Sequence, residues 1–458
     1  MRKWKMMVLV GMFASAMAFA QGGKEAPSAT AATPAASEKK PITLRVWAGV
    51  QPEYGYDEMM QKFNEEFKDK GIQAEYVRYV NNGDGNLQLE TYLMSGGDID
   101  VFISYGGTGR LIPRIESGLV LPLDDLMAKT GFDIEGEMGV GNVKSYKYDG
   151  KFYAIPTKYE NGAWIMANVD MFKAAGVELP YNGWTYDQFR EACKKLTHGE
   201  GQDKVYGMNW FFSGDVANGD PIFYSTLGAK STYKDADATE TNYDDPAWKA
   251  GMQLAADTML VDKTAITYDQ IVGDKLRFAN TFLEGKCAMQ TGISQIRLVK
   301  DTATYPHDFM TAIIPGPVPT EKDLEYWDHA KINGAGDLIC IASKTEHPEE
   351  CAEFVKWYIQ GGMAPLAKGG RIPLWTGVSK DDVIKAFETG ADGVFDSDSL
   401  RNYLSIRTNL AEKGPTTSVN TQINTILKEE EAQAFYGRKS VDQALKDAKS
   451  RADALLKK

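Results

Sequence analysis

Apolar and polar positions alternate from Ile42 to Trp47, the period of a strand with one buried face, and the loop beyond carries Gly49, Pro52 and Gly55. From Tyr56 to Lys70 the period changes. Met59, Met60, Phe63 and Phe67 fall on one helical stripe, and Gly71 closes the segment. Ile72 to Val80 returns to a strand pattern. Strand, helix and strand in succession predict a parallel pair joined by a right-handed crossover. The alternation continues with a helix over Leu87–Met94, a break at Gly96-Gly97, a buried strand over Ile99–Ser104 and a helix over Leu111–Ser117.

Further along, extended stretches at Phe152–Pro156 and Gly162–Asn168 flank Thr157–Asn161, and a helical turn follows over Asp170–Ala175. Trp184-Thr185-Tyr186-Asp187 opens a helix through Leu196, with Thr185 as its N-cap and Asp187 near its positive end. Strands are expected over Tyr206–Phe212, Cys287–Gly292, Thr311–Pro315 and Asp337–Ser343, and a helix over Pro348–Gln360. Ser440–Leu456 reads as an amphipathic helix with Val441, Ala444, Leu445, Ala448, Ala452 and Leu455 on one face.

The first forty residues follow a different pattern. Arg2, Lys3 and Lys5 precede an apolar run from Met6 to Ala20 that ends in Ala18-Phe19-Ala20, the layout of a cleaved secretory signal over residues 1–20. The run falls short of the roughly 20 residues needed to span a bilayer. No cysteine stands at the expected cleavage point, so the mature chain is expected to begin near Gln21 without a lipid and to be retained in a periplasm. Residues 21–40, rich in Ala, Thr, Pro and Ser, read as a flexible leader.

A length of 458 residues favours two domains, and a net charge of −12 argues against nucleic acid as a partner. Cys193, Cys287, Cys340 and Cys351 are expected to be mainly buried thiols. His198, His307, His329 and His347 are scattered and there is no CxxC, so no metal site is expected. Tyr105-Gly106-Gly107-Thr108-Gly109 follows a strand but matches neither GxGxxG nor GxxxxGK[ST]; it reads as a turn that lets a ligand approach backbone, and no cofactor is expected.

Several runs stand in a recognisable order: Gly96-Gly97-Asp98-Ile99-Asp100-Val101, Gly118-Leu119-Val120-Leu121-Pro122-Leu123-Asp124-Asp125, Asp149 to Pro156, Asn168 to Phe172, Ala175-Gly176, and Trp184 to Phe189. Gly285 to Met289, Pro315-Gly316-Pro317 and Gly437 to Leu445 complete the series. With these the chain resembles the extracellular solute-binding proteins of ABC importers, in the sugar-binding branch typified by maltose-binding protein. The resemblance implies an α/β periplasmic-binding-protein fold of two lobes, a hinge and an interlobe cleft. It places the first lobe at residues 41–157 and 331–374 and the second at 158–330 and 375–458. It also implies a monomer that closes on a small carbohydrate, mono- or oligosaccharide, and delivers it to the membrane permease subunits, without catalysis.

Sugar recognition needs aromatic faces for the ring and polar side chains for the hydroxyls, and the chain has nine tryptophans and 22 tyrosines. By their place in the resemblance, the candidate contacts are Trp47, Gln51, Glu53 and Tyr54 after the first strand, Tyr105 and Arg110 on the glycine-rich loop, and Glu160 and Trp164 at the first crossing. Asn209, Trp210 and Phe211 end a second-lobe strand as an expected exposed platform. Ser294 and Asn424 stand where sugar binders carry aromatics, which points to a different stacking floor. Asn333 and Arg371, with Trp327 and Trp375, lie near later crossings, whereas Trp184 is expected to pack. The rival readings are a binder of a polyamine or other charged solute, for which Glu53 and Glu160 could serve, and a glycoside hydrolase. The latter needs two carboxylates about 5–9 Å apart, and no hydrolytic motif is present.

Overall fold

The computed structural model describes residues 41–159, 164–210, 232–235, 237–326, 335–375, 377–405, 417 and 419–457. Glu160, Phe211, Trp327 and Asn333 lie outside them, as do the side chain of Ser294 and the proposed signal and leader.

Two sheets organise the chain. Its strands in order are β1 (Ile42–Ala48), β2 (Ile72–Arg78), β3 (Val101–Ser104), a small hairpin of β4 (Lys147–Tyr148) and β5 (Lys151–Phe152), then β6 (Ile155–Tyr159), β7 (Trp164–Asn168), β8 (Tyr206–Asn209), β9 (Cys287–Gln290), β10 (Thr311–Pro315), β11 (Ala335–Ile341) and β12 (Ile372–Pro373). The first sheet runs β12-β6-β11-β3-β1-β2 and the second β10-β7-β9-β8. β1 pairs parallel with β2 and β3, as the strand-helix-strand pattern predicts, and β8 pairs parallel with β9. β11 runs antiparallel between β3 and β6, and β10 antiparallel to β7. The chain passes from the first sheet to the second between β6 and β7 and returns between β10 and β11. Each sheet with its helices makes one lobe of an α/β, two-lobed fold.

The apolar stripes fill the two cores. Helix α1 (Tyr56–Glu66) buries Met59, Met60 and Phe63, and Phe63 meets Phe354 and Trp357 of the helix Pro348–Trp357 edge-on at 4.9 and 5.0 Å. Helix α2 (Gly83–Ser95) is capped by Asn82, whose side chain accepts from Gly85 N–H. Helix α3 (Thr108–Glu116) sends Arg114 inward, where it is almost wholly buried. Arg114 donates to Ser104 Oγ at 2.8 Å, Asn86 Oδ1 at 2.9 Å and Glu90 Oε1 at 3.0 Å, so one side chain ties α3, α2 and β3 together.

In the second lobe Thr185 caps the helix Tyr186–Leu196 in a reciprocal box with Gln188. Trp184 packs, as expected, with its indole N–H on Pro315 O at 2.9 Å. The helices Asn420–Phe435 and Val441–Leu456 lie against each other and the helix Pro246–Ala256; Val441, Ala444, Leu445, Ala448 and Ala452 are all buried. Cys193, Cys287, Cys340 and Cys351 are buried and unpaired. Among the described residues no helix is long and apolar enough to cross a membrane, and no group of three or more His, Cys, Asp or Glu could hold a metal ion.

Candidate functional site

The carboxyl ends of β1, β2, β3 and β6 point toward the junction with the second sheet, and those of β8 and β9 point back from the other side. Ligands of open parallel sheets lie at such ends, where loops leave the strands and backbone groups are available.

On the first-lobe side, tyrosine hydroxyls set the loops. Tyr105 Oη accepts from Gly49 N–H at 3.0 Å, Tyr76 Oη donates to Ala48 O at 3.0 Å, and Tyr79 Oη donates to Ile103 O at 2.9 Å. These bonds fix the turn that presents Gln51, Glu53 and Tyr54. Gly55 ends this turn at φ 111, and a Cβ there would lie 2.4 Å from Pro365 O, so no other residue fits. Tyr54 Oη then reaches across to the second lobe and donates to Asp301 Oδ2 at 3.1 Å. Burial raises the Tyr54 hydroxyl pKa, and the bond to Asp301 raises it further.

Beside this turn Arg371 and Asp337 form an almost buried ion pair, Nε to Oδ2 at 2.8 Å. Asp337 has φ 50, rare for a residue with a side chain, between the ladder pairs Gly336–Lys158 and Leu338–Pro156; Thr157 Oγ1 donates to its carbonyl at 2.7 Å. Holding such a residue costs about 1 kcal/mol or more, strain that concentrates where a side chain must be aimed. Here the carboxylate is aimed at a guanidinium. Burial alone lowers the Arg371 pKa, yet Asp337, with the hydroxyls of Tyr105, Tyr56 and Tyr358, holds it above the ordinary arginine range. Tyr105 is in hydrogen-bond contact with Arg371 and is pushed up to about 12, first by burial and then by Asp337.

The second lobe contributes the short helix Ile296–Lys300 and Asp301 at its end. Gly370, at φ 78, sits against it: a Cβ at Gly370 would fall 2.7 Å from Ile296 Cγ2 and 3.8 Å from Arg297 Cβ. The two lobes therefore touch through Gly370 as well as Tyr54. Burial lowers the Arg297 pKa, and the charge of Arg371 lowers it next.

The candidate contacts divide into two groups. The structure brings Tyr54, Tyr105 and Arg371 together at the junction, with Gln51 half-buried and Glu53 exposed on the same turn. Arg110 is exposed and folds back over Gly106, and Asn424 is exposed on the helix Asn420–Phe435. The other group lies inside the lobes. Trp47 packs on Tyr92 at 5.1 Å and donates to Asp98 O at 3.0 Å, and Trp164 meets Tyr403 edge-on at 5.3 Å. Trp210 differs from the exposed platform expected of it: it is 2% exposed, packs on Phe189 and donates to Thr258 Oγ1 at 2.8 Å. The amphipathic indole found a partner indoors, which removes its reason to stay at a wet surface. Asn209 is buried too, donating to Gln290 Oε1 at 3.0 Å, while its own Oδ1 and Gln290 Nε2 have no hydrogen-bond partner among the described residues. Trp375 donates to Glu137 Oε2 at 3.0 Å.

Asp337, Arg297 and Asp301 were not singled out from sequence, since isolated charges carry no spacing signal; Asp301 stands four residues after Arg297, the only regularity available. Away from the junction, a groove of about 740 Å³ lies at the opposite end of the second sheet, lined by Asp170, Lys195, His198, Glu284, His307 and Phe309 among others.

Comparison with known proteins places this geometry in a family. Residues 49–360 match the family model described as bacterial extracellular solute-binding protein. The sn-glycerol-3-phosphate-binding periplasmic protein of Pectobacterium atrosepticum is 22% identical over 423 residues, covering 90% of each chain. Its counterpart in Escherichia coli is 21% identical over 435 residues, 91% of this chain and 93% of that one. Among solved structures, an ABC substrate-binding protein of Listeria monocytogenes in complex with cycloalternan superposes with a TM-score of 0.68 at 18% identity, covering 91% of this chain and 99% of that one. A sugar transporter of Rhizobium etli in an open conformation gives 0.66 at 19% identity, covering 90% and 99%. The match begins just after β1 and takes in β2 to β11, and the chain belongs to the bacterial extracellular solute-binding protein family.

Proposed function

We propose that this protein captures a small carbohydrate or polyol between its lobes and hands it to the permease of an ABC importer. The observation that carries the reading is the junction itself, where the carboxyl ends of two sheets face each other across tyrosine hydroxyls, a buried Arg371–Asp337 pair and Arg297. Such a surface offers donors and acceptors of both kinds to a ligand rich in hydroxyls. The relatives and neighbours support it by name, being binders of sn-glycerol 3-phosphate or cycloalternan. The lobes of the proposal are residues 41–157 with 331–374, and 158–330 with 375–458. Gln51, Glu53, Tyr54, Tyr105, Arg110, Arg371 and Asn424 are the described candidates for contact, and Glu160, Phe211, Ser294 and Asn333 complete the proposed set.

Closure would follow the population-shift scheme, in which ligand favours a closed arrangement that the hinge already permits. The protein acts in this reading as a monomer in the periplasm, without catalysis and without nucleic acid. A thermal-shift screen of the purified chain against sugars, polyols, polyamines and metal salts tests it, because a ligand that binds only the native state raises the melting temperature. The expected result is a shift with a sugar or polyol. A shift confined to polyamines or metals, or turnover of any oligosaccharide, sinks the proposal.

A further inference from the structure

Two consecutive glycines serve opposite lobes. Gly369 stands against the first-lobe turn, where a Cβ would fall 2.8 Å from Tyr54 Cβ, and Gly370 stands against the second-lobe helix Ile296–Lys300, where one would fall 2.7 Å from Ile296 Cγ2. Both approaches are closer than a side chain allows, so the turn and the helix close on the same pair of residues. The helix is followed by Asp301, whose carboxylate is aimed by its own turn: Oδ1 accepts from Thr304 N–H at 3.1 Å, with Oδ2 accepting from Tyr54 Oη at 3.1 Å. Tyr54 is set in turn by its N–H on Gln51 O at 3.1 Å. Lys300, the residue before Asp301, donates to Phe387 O in the last turn of the helix Lys380–Glu388, and that helix packs on the segment Ala364–Gly369, which ends in the first of the two glycines. A helix of 5 residues and the aspartate after it thus meet the first lobe and its connection at Gly370, at Tyr54 and at Phe387, each time protein atom to protein atom. The Tyr54–Asp301 bond joins the lobes directly, is charge-assisted, and has to break when they part.

Resting on the solute-binding reading above, we propose that Tyr54 and Asp301, seated by Gly369, Gly370 and Ile296, form a latch between the lobes that favours the closed arrangement before any solute arrives. Tyr54 is then a positioning residue for capture, its hydroxyl acting on Asp301 rather than on solute. A closed form that is already populated lowers the share of binding free energy that goes into closure, and it makes opening of the latch a step that precedes entry.

The test is the distance between spin labels on Gln61→Cys in the first lobe and Lys446→Cys in the second, both at exposed positions, while the native cysteines are buried. Pulsed electron paramagnetic resonance measures it on the full purified chain, unfolded and refolded beforehand to strip any co-purified solute. The expected result is a dominant short-distance population that matches the present arrangement of the lobes. Tyr54→Phe and Asp301→Ala should each lower its ratio to the long-distance population by about tenfold. The double variant should go no further than either alone, the signature of one shared contact, and Asp301→Asn, which keeps an acceptor, should fall between. Because Tyr54→Phe removes a single oxygen and keeps the ring, it decides the matter if an Asp301 variant fails to fold, with circular dichroism as the check. A native chain dominated by the long distance, or a distribution that Tyr54→Phe leaves unchanged, overturns the latch and leaves the solute-binding reading intact, since the readout uses no ligand. Failure of the thermal-shift screen overturns the solute-binding reading, and with it the latch's part in capture, whatever the distances.

Discussion

Arg114 gives the most direct test of what holds the glycine-rich loop in place. It is 1% exposed, and it is the donor for Ser104 Oγ, Asn86 Oδ1 and Glu90 Oε1. Replacing it with Met keeps the volume of the stem and removes every donor. Ser104 and Asn86 are buried, so each then loses a hydrogen bond that water cannot replace, at about 1–3 kcal/mol apiece. Glu90 is partly exposed, so its carboxylate rehydrates and adds less. The total falls at about 3–5 kcal/mol, the range for breaking a buried ion pair by removing one partner. Urea unfolding followed by tryptophan fluorescence and far-UV circular dichroism measures it, with Arg114→Lys, which retains charge but not the fork, expected between the two. Because α3 begins three residues after Tyr105, the same substitution is expected to loosen the junction and weaken ligand binding. A loss of stability under about 1 kcal/mol would refute the claim that this network, rather than the apolar packing around it, anchors the loop.

Lys300 is buried at the end of its helix, where its ammonium donates to Phe387 O and lies 4.8 Å from the Phe387 ring centre. Burial, then Lys368, pulls its pKa down to about 7, against about 10.4 in an unfolded chain. The unfolded state therefore binds the extra proton between these values. Relative to Lys300→Met, the wild type should gain stability as pH rises from about 7 to about 10 and show a constant difference below that window, measured by urea unfolding across pH; a flat difference throughout would show that the native ammonium is not destabilised by its site. Thr185→Ala removes one half of a reciprocal cap and should cost about 1 kcal/mol in the same assay, with Thr185→Ser close to wild type. The four cysteines should resist Ellman's reagent in native buffer and react fully only in denaturant, since all are buried and burial raises the Cys340 thiol to about 12; rapid labelling of the native chain would contradict their placement.

Much of the fold was legible because burial writes a period into the chain. The strand expected at Thr311–Pro315 has those bounds, and the stripe Met59, Met60, Phe63 and the face from Val441 to Ala452 are buried as their spacing requires. Boundaries were less so. Helix α2 begins at Gly83 rather than Leu87, because Asn82 caps a turn whose two glycines hide it from any propensity scale. The helix from Tyr56 ends at Glu66, with only a tight turn at Lys68–Lys70, and the helix from Pro348 gives way at Tyr358 to a wider turn that ends near Gly361, at φ 122. The site was harder still. An aromatic residue at a strand end looks the same in sequence whether it faces ligand or core, and Trp47 and Trp210 turned inward once a carbonyl or hydroxyl was available for the indole. Asp337 comes near Arg297 only through the approach of two lobes, which no local pattern encodes.

The path of the chain between the sheets has a mechanical corollary. β6 and β11 are neighbours in the first sheet, and β7 and β10, to which they lead, are neighbours in the second. These two of the chain's crossings thus leave and arrive side by side, like paired straps on a door. In the proposed closure, strands held side by side at both ends would favour swinging about the line that joins them over twisting or sliding, so whatever lies between the leaves would meet the same faces on every swing.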